Sequence, residues 1–149
     1  MKGSTNMGHT NYWKIKNPIS EIRFQGMLDE IAQLTGGSGI PLGDMDGLSS
    51  PRFESNEFAF NGAGKDSYET FVFRNERTEF SFCKTEHRPY DAVVCAALIL
   101  AKAWFKEDIE ISSDGSWKEW QPGRDMFERI FGETDLVNNS VLERDKQPA

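Results

Sequence analysis

One apolar segment, Pro89 to Phe105, predicts a helix that is buried on most of its circumference. Apolar side chains follow the i, i+3, i+4 spacing of one helical face, and the opposite face carries further Ala, Cys and Ile residues. Pro89 suits the first helical position, and Asp91 faces the positive end of the helix dipole. The uninterrupted apolar run is about half of the roughly 20 residues that a membrane span needs, which predicts a core helix covered on two sides.

Two further helices are indicated on either side of this central one. Ser20 is a suitable N-cap for a helix that carries an apolar stripe and ends at Gly36-Gly37. Near the other end of the chain, the segment from Ser116 to Glu119 has the form of a capping box. We expect a short turn there and then a helix from about Pro122 to Phe131, ended by Gly132.

The remaining segments have the alternation and the aromatic content of β-strands. Strands are predicted around Phe53–Phe60, at Ser67–Arg74, at Phe80–Lys84 and at Asp108–Ser112, with a short edge strand at Tyr12–Lys16. The first three are expected to form a meander. The sequence therefore predicts an α+β fold, with a mostly antiparallel sheet of three to four strands packed by the buried central helix and the C-terminal helix.

The length of 149 residues predicts a single domain over 1–149. We expect loose ends at about 1–11 and 133–149, because both are polar, and a long loop from Gly36 to Ser50. The N-terminal residues lack the hydrophobic region of a signal peptide, and Cys83 and Cys95 fit a reducing compartment better than a disulfide framework. A cytoplasmic protein without a membrane segment is the resulting expectation.

The net charge of the chain indicates which classes of partner it can bind. A formal net charge of −7 and a pI near 4.9 argue against direct nucleic-acid binding through a broad basic surface. They are compatible with an acidic surface that meets a basic partner, and so with an acidic mimic of DNA, although Lys and Arg are interspersed with the acids. Four Trp and eleven Phe residues are compatible with a homo-oligomer.

A first polar cluster lies at the junction between the Phe80–Lys84 strand and the central helix. Lys84, His87, Arg88 and Asp91 stand within eight residues of each other. Exposed N–H groups at a helix N-terminus attract anions, and the two cationic side chains would add charge, so a phosphate-bearing ligand is one interpretation. The other interpretation is local capping and pairing by Arg88 and Asp91.

A second polar cluster, Ser112, Ser113 and Asp114, follows the last predicted strand. It is either a site where sheet and helix meet, near the first cluster, or a plain Asp-Gly turn. An alternative function is a small metal-dependent hydrolase or nuclease that uses Asp91 and Asp114 with Cys83 or His87. Because the chain has two His and no recurrent carboxylate spacing, we assign no metal, no cofactor and no catalytic residue.

Several short motifs follow each other in fixed order: Glu69-Thr70-Phe71-Val72-Phe73, then Phe80-Ser81-Phe82-Cys83-Lys84-Thr85, then Arg88-Pro89-Tyr90-Asp91, an apolar helix, and Ser112-Ser113-Asp114-Gly115 followed by Trp120. Together they resemble a family of small uncharacterised proteins of tailed bacteriophages and prophages. The resemblance covers roughly 61–132. It implies a phage accessory protein in the bacterial host cytoplasm that acts by binding a host or defence protein, or a small anionic ligand such as a nucleotide.

Overall fold

The computed structural model describes residues 9–44, 49–132 and 134–146. These residues form four α-helices and two antiparallel sheets of three and four strands, and this confirms the predicted α+β class. The helices are α1 (Glu21–Gly37), α2 (Asp91–Phe105), α3 (Gln121–Phe131) and α4 (Asp135–Asn138). The strands are β1 (Thr10–Ile15), β2 (Leu42–Gly43), β3 (Arg52–Glu54), β4 (Glu57–Gly62), β5 (Phe71–Arg74), β6 (Ser81–Lys84) and β7 (Ile109–Ser113).

Helix α2 occupies the centre of the molecule and packs against α1, α3 and β7. Ten of its fifteen residues are buried, as the all-round apolar sequence predicted. The helix begins at Asp91, two residues later than predicted, because Arg88 to Tyr90 form a turn that precedes it. Helix α3 approaches closely at Gly123, where a Cβ atom would lie 2.5 Å from Cβ of Cys95.

The predicted capping residues are confirmed. The Ser20 hydroxyl accepts a hydrogen bond from the Arg23 N–H at 3.2 Å and so caps α1. In the turn before α3, the Glu119 N–H donates to the Ser116 hydroxyl at 3.2 Å, and the Ser116 N–H donates to the Glu119 carboxylate at 2.8 Å. These reciprocal bonds are those of a capping box.

The three-stranded sheet has the order β6-β1-β7, and β1 is its centre. Tyr12 lies opposite Phe82 on one side and opposite Ser112 on the other. The predicted meander is therefore wrong, because β6 pairs with β1 and not with β5. The alternation of the segment around Tyr12 indicated a strand, but it carried no information on how many neighbours that strand has.

The four-stranded sheet is built on β4, which pairs with β2, β3 and β5. Its inner side supplies the aromatic part of the core. Phe58 and Phe73 stack with ring centroids 5.3 Å apart, and the rings of Trp13 and Phe71 meet edge to face at 5.1 Å. The two sheets and α1 thus share one hydrophobic core.

Both ends include buried residues in segments for which the sequence predicted loose ends. His9, Thr10 and Asn11 are at most 9 % exposed, because β1 pairs on both edges and their polar groups are hydrogen-bonded. Near the other end, Val137, Val141 and Leu142 are buried, and Leu142 forms a bridge beside β7. Residues 1–8, 133 and 147–149 lie outside the described ranges, as do 45–48 of the predicted long loop, which also contains β2.

Within the described ranges, no helix combines the length and apolar character needed to cross a membrane.

Candidate functional site

The two polar clusters predicted from the sequence are joined through β1. The Asn11 side-chain amide donates to Oδ1 of Asp91 at 2.9 Å, and Oδ1 of Asn11 accepts from the Ser113 hydroxyl at 2.6 Å. Asn11 is fully buried, so these bonds satisfy polar atoms that water does not reach. Asn11 belongs to the N-terminal segment, 1–11, for which the sequence predicted a loose end.

Asp91 is the acceptor at the centre of this network. Besides Asn11, the Thr85 hydroxyl donates to Oδ1 at 2.6 Å, and Nε2 of His9 lies 3.5 Å from Oδ2. Burial by itself raises the pKa of Asp91, but the contacts with His9, Thr85 and Asn11 outweigh it and hold the pKa below its usual range. Asp91 is therefore an ionised and internally paired carboxylate.

His9 is the second titratable group of the network and is 3 % exposed. Burial lowers the pKa of an imidazole, yet the hydrogen bond and charge of Asp91, together with the charges of Asp114 and Glu119, raise the pKa of His9 above its ordinary value of 6.5. On its other side, the ring of His87 lies with its centroid 3.9 Å from that of His9. Sequence spacing gave no signal for this pair, because the two residues are 78 positions apart.

The loop that carries His87 has an unusual backbone. Glu86 and His87 both have left-handed φ angles, of 54° and 59°. For residues with a Cβ atom this conformation costs about 1 kcal/mol each, so it persists where other contacts hold it. The His9 carbonyl supplies such contacts, because it accepts from the N–H groups of Thr85 at 2.9 Å and Glu86 at 3.4 Å.

The second cluster is divided by the alternation of β7. The Ser113 hydroxyl faces inward, where it accepts from the Trp120 indole N–H at 3.1 Å and the Gly115 N–H at 3.0 Å. Ser112 is exposed on the opposite face of the sheet, so it does not join the other predicted site residues. Asp114 is also exposed, and its carboxylate accepts from the Thr10 N–H at 3.0 Å.

Lys84 and Arg88 converge on an aromatic ring. The Lys84 ammonium lies 5.9 Å, and the Arg88 guanidinium 5.7 Å, from the ring centroid of Tyr68, which is 42 % exposed. The Lys84 ammonium lies 4.0 Å from the Glu86 carboxylate, and the Lys84 backbone N–H donates to the Glu69 carboxylate at 2.7 Å. Nε of Arg88 is buried and has no hydrogen-bond partner in the described part of the chain. We call Tyr68, Lys84 and Arg88 the cationic–aromatic site.

A small cleft of about 190 Å³ lies next to this site. Its lining includes His87, Arg88, Asp91, Glu119 and Trp120. The pKa of Glu119 lies below its usual value although partial burial raises it. The main cause is the hydrogen bond from the Ser116 backbone N–H, and the Ser116 hydroxyl and the charges of His9 and His87 act in the same direction. The cleft therefore places the carboxylates of Asp91 and Glu119 beside Arg88.

Most groups named for the hydrolase alternative are buried or engaged in internal hydrogen bonds. Burial raises the pKa of the Cys83 thiol, and it also raises that of Cys95, so both stay protonated near neutral pH. Among the described residues, no group of three His, Cys, Asp or Glu side chains is placed to hold a metal ion. Asp91 and Asp114 are engaged with Asn11 and the Thr10 backbone, respectively.

Comparison of the chain with known protein families, with curated proteins and with solved structures gave no match.

Proposed function

We propose that this chain is a binding protein and that its cationic–aromatic site takes an anionic ligand that also has a flat apolar part. The observation that carries the proposal is the convergence of Lys84 and Arg88 on the half-exposed ring of Tyr68. Two cations beside one exposed aromatic ring suit a ligand that carries both negative charge and a flat apolar part.

The chemistry of the three side chains supports a nucleotide-like ligand. Arg and Lys form charge-assisted hydrogen bonds with phosphate oxygens, and the guanidinium does so with two parallel N–H groups. An aromatic ring provides a stacking surface for a base. A nucleotide combines a phosphate and a flat base, and an acidic protein segment with an aromatic residue offers the same pair of groups.

The biological setting belongs to the same proposal. The resemblance to phage proteins supports a role as an accessory protein in the cytoplasm of a bacterial host, where it sequesters a signalling nucleotide or blocks a host or defence protein. A counter-defence role is the specific form of this proposal. The internal pairing of Asp91 and the protonated state of both thiols favour binding over the hydrolase alternative.

The first experiment is native mass spectrometry of the protein purified from a bacterial lysate, before and after mild denaturation. Release of a nucleotide supports the proposal and identifies the ligand class. Titration calorimetry with ATP, GTP and a cyclic dinucleotide then compares the wild type with the Lys84→Ala, Arg88→Ala double variant. Loss of two phosphate contacts predicts at least about tenfold weaker binding.

The matched control is the Lys65→Ala, Arg77→Ala double variant, which removes the same two charges from exposed positions elsewhere on the surface. Its affinity should stay within about twofold of the wild type if the site is specific. Equal losses in the two double variants, or an unchanged affinity in both, would show that the anion binds elsewhere.

A further inference from the structure

The solvent face of the three-stranded sheet carries a group of exposed aromatic rings. Phe80 is 67 % exposed and Phe82 is 51 % exposed, and their ring centroids are 5.5 Å apart. Tyr12 extends the group, with its ring 5.7 Å from that of Phe80. We call these three residues the aromatic face. Single exposed apolar side chains are common, but contiguous ones mark an interaction surface.

A hollow lies directly beside the protruding rings. Its volume is about 370 Å³, and its walls include Tyr12, Trp13, Phe80 and Ser112 with the charged side chains of Lys14 and Glu110. A cavity of about 150 Å³ is enough to hold a benzene molecule, so a phenyl ring fits here with room to spare. The same face therefore offers both a projecting phenyl ring and a place that receives one.

The charges around the aromatic face are balanced although the whole chain is acidic. Lys84 stands at one end of the face, and Lys14, Glu79 and Glu110 line the hollow at the other end, where Lys14 lies directly opposite Glu110. Lys16 is paired with Glu110 at 3.0 Å. A second copy of the chain is therefore not repelled at this face, and each lysine can meet a glutamate of the other copy.

We infer that the aromatic face is an interface between two copies of this chain. A two-fold interface uses the same surface twice, so it requires a surface that complements itself. In this dimer, Phe80 of each copy enters the hollow of the other, and the lysines and glutamates pair at the rim. The aromatic face and the cationic–aromatic site consist of different residues, and Lys84 lies at the margin of both.

The test is the molar mass of the full chain by sedimentation velocity over about 1–200 μM. The wild type should change from monomer to dimer within this range. Phe80→Ser should weaken the dimer at least about 30-fold, as expected for an anchor residue at the centre of an interface. Phe82→Ser should have a smaller effect in the same direction. Circular dichroism should show that both variants keep the wild-type secondary structure, since both side chains are exposed.

Ile22→Ser is the control, because Ile22 is 84 % exposed but lies on α1, away from the aromatic face. This variant should dimerise like the wild type. A wild type that stays monomeric up to the highest concentration would overturn the inference. A dimer that Phe80→Ser leaves intact, or that Ile22→Ser weakens equally, would also overturn it.

Discussion

Each face of the three-stranded sheet carries an exception to the usual distribution of polar and apolar groups. On the inner face, Asn11 and Ser113 are hydrogen-bonded to each other and to Asp91. On the outer face, Phe80 and Phe82 project into solvent. Neighbouring residues of the same strands contribute to the two faces, so a step of one position changes the role of a side chain. The buried polar residues stabilise the fold together with the apolar core, and the exposed aromatic residues are available for contacts.

The largest effect should follow from removal of the inner acceptor. Asp91→Ala leaves the side-chain donors of Asn11 and Thr85 and the charge of His9 without their partner in the interior. We expect the free energy of unfolding in urea to fall by about 3–5 kcal/mol. The comparison variant is Asp114→Ala. Because the Asp114 carboxylate is exposed, its removal should lower the free energy of unfolding by about 1 kcal/mol. Similar losses in both variants would mean that Asp91 is not the centre of the network.

A smaller and more sharply matched effect is expected for two adjacent serines. Ser113→Ala removes the acceptor of the Trp120 indole N–H and the Gly115 N–H, and it should destabilise the protein by about 1–3 kcal/mol. Ser112→Ala changes only the outer face, so its free energy of unfolding should stay within about 0.5 kcal/mol of the wild-type value. Urea unfolding of the two variants measures the difference between the faces at neighbouring positions. Equal losses of unfolding free energy in the two variants would contradict the assigned roles of the inner and outer faces.

The smallest effect concerns pH. The pKa of His9 is raised in the folded protein, so the contact with Asp91 contributes stability that is fully present below the ordinary imidazole pKa of 6.5. This contribution is lost as the pH rises through the folded pKa. The free energy of unfolding should therefore decrease above pH 6.5 by less than the effect of Ser113→Ala. A His9→Gln variant should lack this part of the pH dependence, and an identical profile would contradict the assignment.

Much of the fold could be predicted from local signals. The Ser20 cap, the capping box at Ser116 and the buried helix α2 depend on residues close together in the chain. The partners of β6 could not be predicted in the same way, because pairing with β1 joins residues about 70 positions apart. Local alternation identifies a strand, and only the packed core selects its neighbours.

The candidate site was predictable only in part. Proximity of the two polar clusters was one of two interpretations, and the residue that joins them, Asn11, lies in a polar segment that indicated a loose end. Tyr68 was identified as a strand residue with no link to Lys84 or Arg88. Burial of His9 and Asn11 follows from tertiary pairing, which polarity along the chain does not reveal.

The two buried thiols can serve as probes of local opening in this protein. Cys83 lies on the inner side of the three-stranded sheet, and Cys95 lies on α2 beneath Gly123. Neither is accessible to an alkylating reagent while the surrounding structure is closed. The rate at which each thiol is labelled under native conditions therefore reports how often its own region opens. The sheet and the helix pair can be monitored separately in the unmodified sequence.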